Sequence, residues 1–70
     1  MNPNELKAEM RRNNDTQERL AEALDLSVSG VNDRLNGRVE FRRSEINVIR
    51  QRYSLSPEDT IRIFFADEVS

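Results

Sequence analysis

Apolar residues along this chain recur at intervals of three and four, and no stretch sustains the period-two alternation of a half-buried strand. The pattern predicts an all-α chain of five short helices. Leu6 and Met10, one turn apart, give the first helix a buried stripe; Pro3 suits its first turn, and Asn13, Asn14 and Asp15 break it. Leu20, Ala21 and Leu24 form the inner face of a second helix ending near Leu24. Asp15 or Thr16 can cap it, with Glu18 in capping-box register with Asp15. Ser27 can cap a third, which buries Val31 and Leu35 and stops at Asn36 and Gly37, two residues that tolerate the left-handed conformation. A loop through Arg42 carries Val39 and Phe41. The fourth helix, about Arg43 to Tyr53, buries Ile46, Ile49 and Tyr53. Ser56, Pro57, Glu58 and Asp59 supply a cap, a first-turn proline and two acids for a fifth helix reaching about Ala66. Within it, Phe64 and Phe65 point about 100° apart, so one small core does not readily bury both. One of this pair is expected at a protein interface.

Length narrows the picture to one domain spanning residues 1–70, in which a single core yields only a few kcal/mol of net stability. Without Cys or His the chain has no disulfide, no thiolate nucleophile and none of the commonest zinc or iron ligand sets. No Ser/His/Asp set and no Gly-rich phosphate loop occur, and Glu18 with Glu22 reads as an exposed helical pair. A non-enzymatic protein with no cofactor and no small-molecule substrate is expected. The longest apolar run, around Ile63 to Ala66, falls far short of the roughly 20 residues that span a bilayer. No cleavable signal precedes Pro3, so the expected location is the cytoplasm, with no membrane partner.

From Thr16 to Gly37, two helices of about eight residues flank a short turn, with Ala21 small where they meet and Leu20, Leu24, Leu26, Val31 and Leu35 facing one core. That is the spacing of a helix-turn-helix, whose second helix enters the DNA major groove. Charge complicates this reading, because the formal net charge is -2 and duplex binding draws on counterion release from phosphates. The charge is polarised along the chain. Five arginines (Arg38, Arg42, Arg43, Arg50, Arg52) outnumber Glu40 and Glu45 just after the motif, whereas residues 13–37 and 53–70 are net acidic.

The series Thr16-Gln17-x-x-Leu20-Ala21-x-x-Leu24-x-Leu26-Ser27, then Val31 and Leu35-Asn36-Gly37-Arg38, resembles the Cro and repressor proteins of temperate phages. The closing Ile63-Phe64-Phe65-Ala66 with Asp67, Glu68 and Val69 also looks like small phage-encoded regulators of Gram-positive bacteria. The resemblance covers the whole chain and implies a lambda repressor-like five-helix domain with the helix-turn-helix as helices two and three. It implies a transcription regulator in a bacterial host, dimeric on a double-stranded operator.

Carried over residue by residue, it assigns Gln17, Ser27 and Asn36 to the DNA backbone and the outward face of helix three (Val28, Ser29, Asn32, Asp33) to base edges. Asn32 could pair bidentately with adenine, Ser29 could bond several bases, and Val28 could touch a thymine methyl. Arg38, Arg42 and Arg43 are the expected phosphate clamps. Asp25 stands where the family usually carries Gly, and Asp33 puts a negative charge on the reading face. Gly30, in mid-helix, costs about 1 kcal/mol relative to Ala. These acids motivate a competing expectation, that the chain is an antirepressor whose acidic helices mask the basic face of a partner repressor protein.

Overall fold

The computed structural model describes residues 1–65, and among them all regular secondary structure is helical. The elements are α1 (Pro3–Arg12), α2 (Gln17–Leu24), α3 (Val28–Leu35), α4 (Arg43–Arg52) and α5 (Pro57–Phe64). The expected end of the fifth helix at Ala66, and the resemblance in Ala66 to Val69, lie outside the described residues.

Local chemistry accounts for the helix starts. Thr16 Oγ1 accepts the Arg19 N–H at 3.1 Å, Ser27 Oγ accepts the Gly30 N–H at 3.0 Å, and Ser56 Oγ accepts the Asp59 N–H at 3.0 Å. Each thereby satisfies one of the amides that a helix leaves without an internal partner. Thr16, not Asp15, is the cap of α2, so the capping box expected between Asp15 and Glu18 does not form. The Asp15 carboxylate is instead drawn to α4.

The first four helices end by one device. Asn14, Asp25, Gly37 and Ser54 each adopt positive φ (51°, 57°, 80° and 52°), and the next residue donates its N–H back across the last turn. These bonds are Asp15 to Met10 O, Leu26 to Ala21 O, Arg38 to Asp33 O and Leu55 to Arg50 O, all at 2.8–2.9 Å. This is the Schellman arrangement, for which Gly has the least steric cost and Asn and Asp a tolerable one. At the end of α3 only Gly37 is left-handed; Asn36, expected to share that role, has φ -92° and is the last near-helical residue.

The core comprises Leu6 and Met10 of α1, Leu20, Ala21 and Leu24 of α2, Val31 and Leu35 of α3, Ile49 and Tyr53 of the α4 end, Leu55, and Ile63 and Phe64 of α5. Leu6, Leu20, Val31, Ile49 and Ile63 have no exposed surface. The α1–α5 junction is tied by the Asn2 N–H donating to Ile63 O at 2.7 Å, and Arg62 of α5 pairs with both Glu5 of α1 and Asp59. Phe64 is a core residue, 7% exposed, with its ring 5.7 Å from that of Phe41 in an edge-to-face contact. The Phe41 loop supplies the packing surface that a helix-by-helix reading of the sequence leaves out. Of the two phenylalanines expected to supply an interface, only Phe65 is partly exposed, against an open groove also lined by Phe41, Ile46 and Ile61.

Candidate nucleic-acid interface

Helix α2, the turn Asp25–Ser27 and helix α3 pack against one another, and the Schellman bond from Leu26 fixes where the second helix departs from the first. Val31, Arg34 and Leu35 take the inner side of α3. Val28, Ser29, Asn32 and Asp33, with Asn36 just beyond, therefore share an outward arc of about 140° at the helical spacing of 100° per residue. Val28, Ser29, Asn32 and Asn36 are exposed and Asp33 is half-buried. The four expected base readers thus form one continuous surface.

Their polar atoms are partly organised already. Asn36 Nδ2 donates to Asn32 Oδ1 at 3.3 Å, which orients the Asn32 amide and leaves its own NH2 and a second oxygen lone pair unengaged. Those two groups are what a bidentate contact to adenine requires. Asn36 therefore orients a neighbour as well as standing at the helix end. Asp33 Oδ1 lies 3.4 Å from Arg38 Nη1, so the acid on this face and the first expected clamp neutralise each other in part. Ser27 spends its acceptor on capping α3 but keeps its hydroxyl proton for a donor contact. Gln17, the first residue of α2, is half-buried beside the exposed Thr16 cap.

Arg42 and Arg43 occupy the cap and first position of α4; both are exposed and, among the described residues, neither is in an ion pair. Cations at the positive end of a helix are unfavourable by a few tenths of a kcal/mol each, so this placement does not serve the stability of α4. An arginine also cannot accept the free amides of the first turn. Glu45 supplies part of what is missing, its Oε1 accepting the Arg42 N–H at 2.8 Å.

The same Glu45 oxygen accepts from Arg34 Nε at 3.0 Å, and both side chains are about nine-tenths buried. Arg34 Nη1 also donates to Gly30 O at 3.0 Å. A Cβ at Gly30 would meet Arg34 Nη1 in ordinary contact at 3.5 Å but press on the cap of α3, standing 3.3 Å from Ser27 Oγ. Sequence reasoning passed over Arg34 and Glu45 and counted Gly30 only as a cost. The available signal was an arginine at an inward helical position, between Val31 and Leu35, where a charge needs a partner.

A second link joins the other end of the pair to α4. Asp15 accepts from Arg52 Nε at 2.8 Å, from Arg52 Nη2 at 2.9 Å, from the Tyr53 hydroxyl and from the Thr16 N–H at 3.0 Å. Hydrogen bonding to Arg52 outweighs desolvation and brings the Asp15 carboxyl down to about 2. Burial, reinforced by the bond to Asp15, pushes the Tyr53 phenol well above its ordinary value. Tyr53 is accordingly core and capped by Asp15, not a platform for base stacking.

Among the described residues no three His, Cys, Asp or Glu side chains gather as a metal-ligating group, and no helix is long and apolar enough to cross a membrane. No protein-family model, curated protein or solved structure matches the chain.

Proposed function

We propose that the chain is a sequence-specific DNA-binding transcription regulator of the phage Cro and repressor kind. In this reading the five helices form a lambda repressor-like domain that inserts α3 into the operator major groove. The observation that carries it is the outward arc of α3. Every side chain on it is short and is a hydrogen-bonding group or, at Val28, a branched alkyl, with Asn32 pre-oriented by Asn36. Val28, Ser29, Asn32 and Asp33 read bases; Gln17, Ser27 and Asn36 hold the backbone. Arg42 and Arg43, unpaired among the described residues and set against the α4 dipole, contribute the counterion release that the acidic chain otherwise lacks. Arg38 divides its charge between Asp33 and a phosphate. Two copies on half-sites one helical turn apart supply the affinity that one small module lacks.

Selection from a random 30-bp duplex library at low salt tests the proposal. A consensus should emerge, and the Arg42→Ala, Arg43→Ala double variant should bind it more weakly with a log–log salt slope reduced by about two. Enrichment of no sequence would falsify it.

One observation favours a second reading. Glu18, Glu22 and Asp25 are exposed along α2, and none of them has an ion-pair partner among the described residues. Such a stripe suits the basic DNA-reading face of a partner repressor, which the chain would then inhibit. Loss of that repressor's operator affinity on adding the chain, in the absence of any DNA binding by the chain itself, would select this reading.

A further inference from the structure

Glu45 touches neither the outward arc of α3 nor the solvent side of the arginine pair, yet one of its oxygens meets both units. Its Oε1 accepts from Arg34 Nε of α3 and from the backbone N–H of Arg42, which begins α4. Arg34 in turn closes onto Gly30 O, on the turn of α3 that also carries Val28 and Ser29. A rigid chain of contacts therefore runs from the backbone of the reading helix, through a planar guanidinium and one carboxylate, to the backbone that presents Arg42 and Arg43. Both side chains are buried, and two bonded nitrogens, Nε on Glu45 and Nη1 on Gly30 O, fix the plane of the guanidinium.

The local sequence could hold α3 against the core without this charge pair. Val31 and Leu35 already bury its inner face, and a well-packed apolar pair at positions 34 and 45 would be about as stable, since burying two charges costs roughly what their attraction returns. Apolar packing fixes that two helices touch; a bond between defined donor and acceptor atoms fixes how far one has turned and slid against the other. Groups that read bases tolerate displacements of only a few tenths of an ångström before their bonds weaken. A phosphate clamp at the end of a long arginine tolerates much more.

We infer that Glu45, through Arg34, is a positioning residue for sequence discrimination: it sets the register of the α3 reading face against the phosphate clamp formed by Arg42 and Arg43. This rests on the proposal that the chain reads DNA, and adds that discrimination and bulk affinity are carried by separable parts. Removing the coupling lowers the first and spares the second.

The test uses the full chain and two 30-bp duplexes, one carrying the sequence enriched by the wild type and one scrambled. The Arg34→Met, Glu45→Gln double variant removes both charges, while the amide carbonyl of the substituted side chain still accepts the Arg42 N–H, so α4 starts as before. It should fold, show a salt slope within one of the wild type, and lose roughly tenfold or more of the ratio between specific and scrambled affinity, one mismatched base pair being worth a similar factor. Arg34→Lys keeps the charges balanced but removes the fork; it is the second variant, should the first not fold, and should lose about threefold or more of the same ratio. A folded variant whose ratio stays at the wild-type value overturns the inference. So does a variant that loses specific and scrambled binding equally, because the link would then serve only to hold the fold. If the wild type enriches no sequence, the DNA reading fails and this inference falls with it; if it does and the ratio survives uncoupling, the inference alone fails.

Discussion

The α2–α3 unit is joined to α4 by two acid–arginine links of opposite polarity. At one end Asp15, just before α2, holds Arg52 at the end of α4; at the other Arg34, near the end of α3, holds Glu45 in the first turn of α4. The first link is bidentate, reinforced by the Tyr53 hydroxyl, and its arginine is about a third exposed. The second is bonded through one nitrogen and one oxygen, with both partners buried. With Asp15 lost from the wet link, the partly exposed Arg52 can take water as its partner; with Glu45 lost from the dry link, the buried Arg34 cannot. The Asp15 link should therefore answer to pH and contribute moderately to stability, whereas the Arg34 link should be intolerant of losing either member while adding little when both are replaced together.

The largest effect should come from breaking the dry link asymmetrically. Glu45→Ala leaves the Arg34 charge buried without a counter-ion and should cost about 3–5 kcal/mol in urea unfolding, enough to unfold much of a domain this small. The Arg34→Met, Glu45→Gln pair leaves no buried charge, only an amide NH2 without its partner, and should cost clearly less, about 1–2 kcal/mol. Equal losses in the two would erase the distinction between the links.

Next comes the wet link. Asp15→Asn weakens charge-assisted bonds to Arg52 and Tyr53 and should cost about 2 kcal/mol at neutral pH. The folded-state carboxyl sits near 2, below its ordinary value of 3.8. Its contribution is therefore fully present above about pH 4 and is lost as the pH falls from there through about 2. The stability advantage of wild type over Asp15→Asn should shrink across that window, as read by urea midpoints at stepped pH. On the alkaline side the sign is opposite. Tyr53 is held protonated by the fold, so stability should decline as the pH rises past its ordinary value of 10.0.

The smallest effect concerns Gly30. An open helix position would gain about 1 kcal/mol from Gly→Ala. Here the new Cβ would press on Ser27 Oγ, 3.3 Å away, so Gly30→Ala should gain less than about half of that. In the Arg34→Met, Glu45→Gln background the gain should be unchanged, because the Arg34 neighbour at 3.5 Å makes only an ordinary contact and the tight one, Ser27 Oγ, remains. A thermal melt of the four variants measures the coupling.

Much of the fold was legible because its signals are local. Thr16, Ser27 and Ser56 announce helix starts by residue type, Gly37 announces an end, and the i, i+4 pairs Leu6–Met10, Leu20–Leu24 and Val31–Leu35 name their own inner faces. The outward arc of α3 follows from the same arithmetic, so the candidate base readers were found together. The misreadings involve residues whose partners are distant in the chain. Asp15 resembles a cap because Glu18 stands three residues on, but its carboxylate is claimed by Arg52 and Tyr53, nearly forty residues away. Phe64 was a candidate for the surface until the Phe41 loop folded onto it. Arg38, counted as a free clamp, is the exception, since Asp33 is only five residues away, across the end of α3.

Five helices, their boundaries to within a residue or two and the face of α3 left to solvent were all written in the chain, since each depends on chemistry within a few residues. Which charges are spent was settled by packing alone. Ionic and hydrogen-bonding partners are chosen by distance in space, and folding brings α4 back across both ends of the α2–α3 unit. That choice neutralises Asp15 and Arg34 internally, half-occupies Asp33 and Arg38, and leaves Arg42 and Arg43 unpaired among the described residues.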